Sequence, residues 1–406
     1  MMHRLMKSSF LFFTFFLIGL SSYAQKAKHI ELKYADGSLK ESFSAIIDKN
    51  TKDTLRQGEY KYFYPNGTLG QEGRFDQNQL EGPWKLYHET GELKQEMTFK
   101  SGLLQGESKT YYRNGQLHEV MNYQNDVLEG EVVIYHENGN IKERSTYQFG
   151  LPSGKIKAYY ESGQLHYEAI MTKGAFNGPY TRYFENGHIA EKTTKKDNEL
   201  HGKYVGYYKE HKGMPQKICR YENGKLEGLF EGFYPSGNIM NRYYFKNNIE
   251  EGDYMEYFDD SLNTLYMVGK FVNGEKTGKW TIYYPEGEQV YYEGYYKSSE
   301  RDSIWDVYFP DGTRKQTGTY IKGKESGIWK FYNEDGSLAF EGGYKEGLKS
   351  GKWKFYYDTG ELRTTHEYVN GMRNGIGRAY DKSGKLIEKA EYKDDELVRT
   401  LPLTED

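Results

Sequence analysis

A repeat of about 24 residues constrains this chain more than any other feature. Clear copies are GIWKFYNEDGSL at 327–338 and GKWKFYYDTGEL at 351–362, and a third, GPWKLYHETGEL, stands at 82–93. Aligned copies begin at an opening position, which is Gly58, Gly82, Gly106, Gly130, Gly154, Gly178, Gly202, Gly228, Gly252, Gly278, Ser303, Gly327, Gly351 and Gly375. Such a period indicates a repeat array, in which each unit packs mainly against its neighbours.

Aromatic residues recur at two fixed places in the unit. The residue five after the opening position is aromatic in every full unit, from Phe63 to Tyr380. The residue two after it, here called the tryptophan position, holds all five tryptophans of the chain: Trp84, Trp280, Trp305, Trp329 and Trp353. On a regular strand these two places point to opposite faces. We expect the always-aromatic row, which includes Tyr356, to be the buried one.

Each unit contains two short aromatic-rich segments with turn residues between them. Pairs such as Asn66-Gly67 and Asn370-Gly371 supply the positive φ angles that tight hairpin turns require. Short segments bounded in this way are typical of strands, and the frequent glycines oppose helix. The predicted fold class is all-β: an elongated repeat array of β-hairpins forming a continuous open antiparallel β-meander.

The N-terminal segment is typical of a secretory signal. Basic residues at 3, 4 and 7 precede an apolar run at 10–20, and small residues near Ala24 favour cleavage before Gln25. An uncleaved anchor is the alternative. The predicted organisation is a signal peptide at 1–24, a degenerate N-terminal repeat at 25–57, about 14 tandem repeats at 58–399 and a C-terminal tail at 400–406. We therefore expect an exported protein in the periplasm, on the outer surface or secreted.

Charge and composition narrow the classes of partner. The net charge is −4, and lysines and glutamates are interspersed, so nucleic acid is not an expected ligand. The same acidic balance disfavours anionic membrane lipid. The chain has one cysteine, Cys219, which can form no internal disulfide and is expected to pack in the sheet.

The sequence predicts a protein that is not an enzyme. We find no nucleophile motif, no phosphate-binding loop and no Cys/His spacing suited to a metal, so no catalytic residue, cofactor site or metal site is predicted. Histidines at one repeat offset, such as His88 and His136, would stand about 20 Å apart. Residues 202–303 are the one irregular block, with two longer units and Ser303 for glycine. A tolerated insertion explains it, or a bulge that shapes a recognition site.

The repeat resembles a known family. Residues 327–375 read Gly-x-Trp-x-x-Tyr, a turn, Gly-x-Leu and then a late Tyr, and this pattern is similar to the variant MORN repeat. The resemblance covers nearly all of residues 28–399. It implies an open β-meander that contacts proteins or lipid headgroups. A bacterial branch of the family is described as antitoxins, a role that does not suit a chain with a secretion signal.

Three functions are compatible with these patterns. The first is a non-enzymatic exported scaffold that mediates protein–protein interaction at the bacterial envelope. The alternatives are carbohydrate or cell-wall binding through the aromatic rows, or an antitoxin-like or lipid-headgroup-binding role. Four tryptophans lie between residues 280 and 353, and we expect this stretch to carry the interaction surface: Trp280, Trp305, Trp329 and Trp353.

Overall fold

The computed structural model describes residues 26–285 and 287–403. The predicted signal peptide lies outside them, and the other predicted boundaries remain predictions. The described residues divide into two compact units, one ending at Gly130 and the other beginning at Glu131. All regular elements in the described ranges are β-strands.

The first unit is a run of hairpins in chain order. Its strands are β1 Lys28–Lys33, β2 Leu39–Ile47, β3 Thr54–Phe63, β4 Leu69–Asp76, β5 Gln79–Tyr87, β6 Leu93–Lys100, β7 Leu103–Leu104, β8 Gly106–Tyr111, β9 Leu117–Gln124 and β10 Val127–Leu128. Sequential strands pair antiparallel, as in β3 with β4 and β4 with β5. Its core contains Phe43, Tyr60, Phe75 and Trp84.

The second unit has the same pattern, and it begins at Glu131 within β11 Gly130–Tyr135. Its further strands are β12 Ile141–Gln148, β13 Leu151–Pro152, β14 Gly154–Tyr159, β15 Leu165–Thr172, β16 Ala175–Tyr183, β17 Ile189–Lys196, β18 Glu199–Tyr207, β19 Pro215–Glu222, β20 Lys225–Leu226, β21 Gly228–Phe233, β22 Ile239–Lys246, β23 Ile249–Glu250, β24 Gly252–Tyr257, β25 Leu265–Val272, β26 Glu275–Tyr283, β27 Val290–Lys297, β28 Glu300–Tyr308, β29 Arg314–Ile321, β30 Lys324–Tyr332, β31 Leu338–Lys345, β32 Leu348–Tyr356, β33 Leu362–Val369, β34 Met372–Arg373, β35 Gly375–Tyr380, β36 Leu386–Lys393 and β37 Glu396–Thr400. The predicted all-β open antiparallel meander of hairpins is confirmed.

The turns use the expected chemistry. In the turn between β31 and β32, Glu346 and Gly347 have φ of 53° and 84°, so both central residues are left-handed as two-residue hairpin loops require. The other turn of the repeat is longer: Gly360 N–H donates to the Tyr357 carbonyl at 2.8 Å and has a φ of 96°. The two turn types therefore alternate along the sheet.

The opening position has a role that the sequence did not reveal. It lies within or at the start of a strand, and it adopts positive φ in every repeat, including 70° at Gly351 and 59° at Ser303. Next to it the strand register shifts, for example between Glu341 and Gly343 where β31 pairs with β32. The opening residue thus forms a β-bulge, which explains why glycine is used there.

Candidate functional site

The tryptophans form the buried core of one face of the sheet, here called the tryptophan face. Each indole lies against a glycine eleven residues earlier in the chain. A Cβ atom built on Gly342 would lie 2.1 Å from Cδ2 of Trp353, and one on Gly318 would lie 2.0 Å from Cδ2 of Trp329. The other such pairs are Gly73 with Trp84, Gly269 with Trp280 and Gly294 with Trp305. The absent side chain is therefore what allows the indole to lie flat on the neighbouring strand.

The expected interaction surface is corrected by this placement. Trp280, Trp305, Trp329 and Trp353 are only 2%, 3%, 2% and 0% exposed, so they are core residues and do not form an exposed interaction surface. The Trp353 Nε1–H also donates to the Gly343 carbonyl at 3.1 Å, which fixes the ring in the sheet. Conversely, the always-aromatic row is half-buried rather than the main core, as Tyr356 shows. The tryptophan row therefore takes the core role that the sequence suggested for the always-aromatic row.

Cationic side chains cover three of these indoles. Four residues before the tryptophan stand Lys276, Arg301 and Lys349, whose charged groups lie 4.4, 4.8 and 4.4 Å from the ring centroids of Trp280, Trp305 and Trp353. Cations over an indole face are attracted by its quadrupole.

The corresponding position before Trp329 holds an acid instead. This residue is Glu325, which accepts a hydrogen bond from the Tyr320 hydroxyl at 3.2 Å. The residue four positions before the tryptophan therefore differs in charge between neighbouring repeats.

A second row on the tryptophan face contains a gap. Phe331, Phe340 and Phe355 stack along it, with ring centroids 4.4 and 5.6 Å apart. One repeat earlier the places of Phe331 and Phe340 are taken by the smaller Val307 and Gln316. A cavity of about 180 Å³ opens there, lined by Tyr291, Tyr292, Arg301, Trp305, Val307, Gln316, Tyr320 and Trp329. We call it the aromatic cavity, and it joins two of the four expected site residues.

On the opposite side of the sheet, here called the glutamate face, glutamates contact tyrosines of the always-aromatic row on a neighbouring strand. The Tyr356 hydroxyl donates to Glu341 on the preceding strand at 3.1 Å, and Lys354 contacts the same carboxylate at 3.0 Å. Burial and this hydrogen bond raise the pKa of Tyr356. In the first unit the equivalent contact joins Tyr87 to Glu72, and burial with this contact raises the pKa of Tyr87 to about 12. Such contacts keep the always-aromatic row in place.

The glutamate face carries a row of exposed apolar side chains between residues 295 and 328, apart from the exposed pair Leu229 and Tyr244. Tyr295, Ile304 and Ile328 are 47%, 56% and 61% exposed. Ile304 pairs with Thr319 and Ile328 with Gly343 on the following strands, so the cross-strand partners of both isoleucines are uncharged, whereas Tyr295 pairs with Asp302. At the ends of this row the same position holds the lysines Lys279 and Lys352. We call Tyr295, Ile304 and Ile328 the apolar row.

Sequence reasoning missed the apolar row, although a signal was present. Ile304 and Ile328 each directly precede a tryptophan, so strand alternation places them on the face opposite to it. If the tryptophans are taken as exposed, these isoleucines must be buried. Because the tryptophan row was predicted to be exposed, Ile304 and Ile328 on the opposite face were not recognised as exposed residues.

Other features of the described residues add less to a site. A wider cavity of about 690 Å³ lies in the irregular block and is lined by Leu262, Asn263, Thr264, Leu265, Tyr283, Gly287 and Glu288. Cys219 is buried, as expected, and burial raises the pKa of its thiol to about 11. Within residues 26–285 and 287–403, no three His, Cys, Asp or Glu side chains are grouped to hold a metal. The same ranges contain no helix with the length and apolar character to span a membrane.

The family comparison agrees with the repeat geometry. The profile of the MORN repeat variant matches ten segments: residues 56–77, 80–101, 104–125, 128–148, 152–172, 176–196, 226–247, 325–346, 349–370 and 373–394. Together they cover more than half of the chain. The chain belongs to the MORN repeat variant family. The unmatched residues 197–225 and 248–324 of this MORN protein include most of the irregular block and seven of the eight residues that line the aromatic cavity, all but Trp329.

Comparison with solved structures gives only distant matches. Among solved structures, the crystal structure of TcdB2-TccC3-Cdc42 is 11% identical, with a TM-score of 0.17; the match covers 91% of this MORN chain and 28% of that chain. A porin-like protein from Bacteroides uniformis ATCC 8492 is 12% identical, with a TM-score of 0.13, and the match covers 54% of this chain and 91% of that one. The chain thus spans less than a third of the length of the first of these structures. A search of curated proteins gave no significant match.

Proposed function

We propose that this MORN repeat scaffold is an exported, non-enzymatic protein that binds another protein through the apolar row. The observation that carries the proposal is the exposure of Ile304 and Ile328, at 56% and 61%, at a position that holds lysine in the repeats on either side. Contiguous apolar side chains rimmed by polar residues are typical of protein-binding surfaces. The proposal explains why apolar residues stand where neighbouring repeats use lysine.

The surroundings of the row support a protein partner. Interfaces commonly have an apolar centre that excludes water and a polar rim that sets specificity. Here the rim contains Lys279, which pairs with Glu293 at 2.8 Å, and the exposed Lys352. The strands beneath are held by the buried tryptophans of the other face, so the row is presented on a rigid base and little ordering is needed on binding.

The direct test replaces the two isoleucines together by lysine. Lysine is already the native residue at this position in Lys279 and Lys352, so Ile304→Lys with Ile328→Lys is compatible with the fold. Partner capture from an envelope extract should be lost, because two charges would have to be buried at the centre of the interface. Quantitative mass spectrometry of wild-type and variant pull-downs measures the difference.

A matched control separates this effect from a general loss of exposed apolar surface. Ile387 is 51% exposed on β36, away from the apolar row, and Ile387→Lys should leave capture unchanged. Equal recovery of the same proteins by the double variant and the wild type would argue against the apolar row as the binding surface. Circular dichroism and urea unfolding of each variant establish that the fold is retained.

Export is a separate part of the proposal. If residues 1–24 are a cleaved signal, the mature protein begins at Gln25. Mass spectrometry of the protein recovered from the envelope or the medium should find this N-terminus. A full-length protein that remains in the cytoplasm would contradict export without affecting the binding proposal.

A further inference from the structure

We propose that the aromatic cavity is a binding site for a single six-membered ring that carries an anionic group, such as a sugar acid or an aromatic acid. The site goes beyond protein binding, and it lies on the face opposite to the apolar row. Its walls come from four consecutive strands, β27 to β30. Aromatic residues flank the two smaller residues of the row, since Val307 pairs with Tyr292 on one side and Gln316 pairs with Phe331 on the other.

The next repeat shows what fits in this place. There the equivalent positions hold Phe331 and Phe340, whose rings stack with an interplanar angle of 20°. Phe331 also lies stacked at 6.2 Å from Trp329, one of the residues that line the cavity. In the repeat before, Val307 and Gln316 leave this volume open between aromatic side chains. A ligand ring would therefore occupy the position that the protein fills with its own rings one repeat later.

The size of the cavity limits the ligand to one ring. Its volume of about 180 Å³ is below the roughly 300–1,000 Å³ of pockets that hold drug-sized molecules. The lining is amphipathic: Tyr and Trp provide flat apolar surfaces, while the Gln316 amide and the tyrosine hydroxyls provide hydrogen-bonding groups. A ring with apolar faces and polar edges matches both parts of the lining.

The charge of the lining indicates an anion. Of the described residues that line the cavity, Arg301 alone carries a full charge. Its guanidinium lies 4.8 Å from the ring centroid of Trp305, donates a hydrogen bond to the Tyr320 hydroxyl at 3.2 Å and also hydrogen-bonds Tyr296. A guanidinium has five N–H donors in a planar fork that matches a carboxylate. The remaining donors of Arg301 would meet the anionic group at the edge of the ring.

The experiment fills the cavity with the side chains of the next repeat. In Val307→Phe with Gln316→Phe, two rings take the place proposed for the ligand, while the tryptophans and Arg301 stay. The probes are D-glucuronate and benzoate, with D-glucose and benzyl alcohol as their neutral counterparts. Binding is followed by the five indole N–H signals in ¹H–¹⁵N NMR spectra. One or both acids should shift Trp305 and Trp329 but not Trp84, and the filled variant should bind at least about tenfold more weakly.

Two further variants test the assignment. Arg301→Gln should weaken an acid by about tenfold and its neutral counterpart much less. Thr364→Phe adds a ring to the same row outside the cavity and should leave binding unchanged. The glucuronate and benzoate arms distinguish a sugar acid from an aromatic acid.

Several results would overturn the proposal: unchanged binding by the filled variant, no shift with any probe, or an equal shift of all five indoles. The signal dispersion of the filled variant shows whether it folds. If it does not, Val307→Phe alone, which must also reduce binding, takes its place. The filled variant leaves Ile304 and Ile328 unchanged, so partner capture by the apolar row can fail or succeed independently.

Discussion

Two regions of the second unit build the same core from different residues. Between residues 280 and 353 the tryptophan position holds Trp, and the residue eleven earlier is always glycine. Between residues 156 and 204 it holds Ile156, Tyr180 and Tyr204, and the residues eleven earlier are Ser145, Ala169 and Thr193. All three of these smaller residues are buried, at 2%, 4% and 7% exposure. In both regions a larger residue at the tryptophan position is therefore paired with a small residue eleven positions earlier, although the identities of both differ.

The pairing also explains why tryptophan appears where it does. A Trp in place of Tyr180 would meet the Cβ of Ala169, which stands directly opposite on β15. In the C-terminal region the glycine removes that atom, and the larger ring covers the backbone of the neighbouring strand. The tryptophans are thus a packing solution available only where glycine precedes them. The tryptophans cluster between residues 280 and 353 because a glycine stands eleven residues before each of them. The cluster does not mark an exposed binding surface.

The largest effect is expected from removing one large member of a pair. Trp353→Ala should cost about 3–5 kcal/mol, because a fully buried indole leaves a cavity that the open sheet cannot close. Since each repeat contacts mainly its neighbours, the loss of stability should concentrate in β31 to β33. Hydrogen exchange measures this directly. A uniform loss of protection across residues 131–403 would contradict the near-neighbour picture.

A smaller loss in the free energy of unfolding is expected when Gly342, the small residue of the pair, is enlarged. Gly342→Ala places a methyl group 2.1 Å from Trp353, and overpacking of this kind costs about 1–3 kcal/mol. Adding Trp353→Tyr gives the Ala and Tyr combination that the other region has at Ala169 and Tyr180. The double variant should therefore recover part of the lost free energy of unfolding. Urea unfolding of the four proteins gives the coupling free energy, expected at about 0.5–3 kcal/mol. Simple additivity of the two substitutions would show that the residues do not act as a pair.

The smallest effect concerns the pair after Trp353, in which the order of sizes is reversed. Here His366 comes first and Gly377 follows, and a Cβ on Gly377 would lie 2.8 Å from His366 Nδ1. Burial, with a contribution from Arg373, lowers the pKa of His366, while Glu388 opposes this. The folded protein therefore resists protonation, and the unfolded chain takes up a proton at a pH of about 6.5. Stability should fall as the pH drops below that value.

The variant His366→Phe isolates this contribution. Its urea midpoint should change less than that of the wild type between pH of about 7.5 and about 5. His211→Phe, in a turn where the histidine is exposed, is the matched control and should keep the full wild-type dependence. If His366→Phe and the wild type lose the same stability on acidification, the buried imidazole is not responsible.

Local features of the fold could be predicted from the sequence because they depend on short-range chemistry. Asn370-Gly371 predicts a tight turn, and both residues have positive φ, at 51° and 90°. The alternation of strands and turns follows from the same residues. The role of the opening glycine was missed, because glycine in a turn and glycine in a β-bulge are equivalent in sequence.

The candidate site was harder to predict because burial in an open sheet depends on residues of neighbouring strands. Trp353 and Tyr356 look equivalent as amphipathic aromatics, and only Gly342, eleven residues earlier, shows which of them lies flat in the core. The aromatic cavity depends on comparing Val307 with Phe331 one repeat later. Both signals exist in the sequence, but they appear only after the register of the strands is known.

The β-bulge at each opening position has a consequence for how such a protein can change over time. Gly327 and Gly351 each lie opposite a shift in strand register, so each of these repeats sets its own register. Gain or loss of a whole repeat would preserve the pairing on either side of the change. It would, however, move surfaces on its two sides by two strands, or about 10 Å. The number of repeats therefore determines the distance between two surfaces on the sheet. This distance can change in evolution while both surfaces keep their residues.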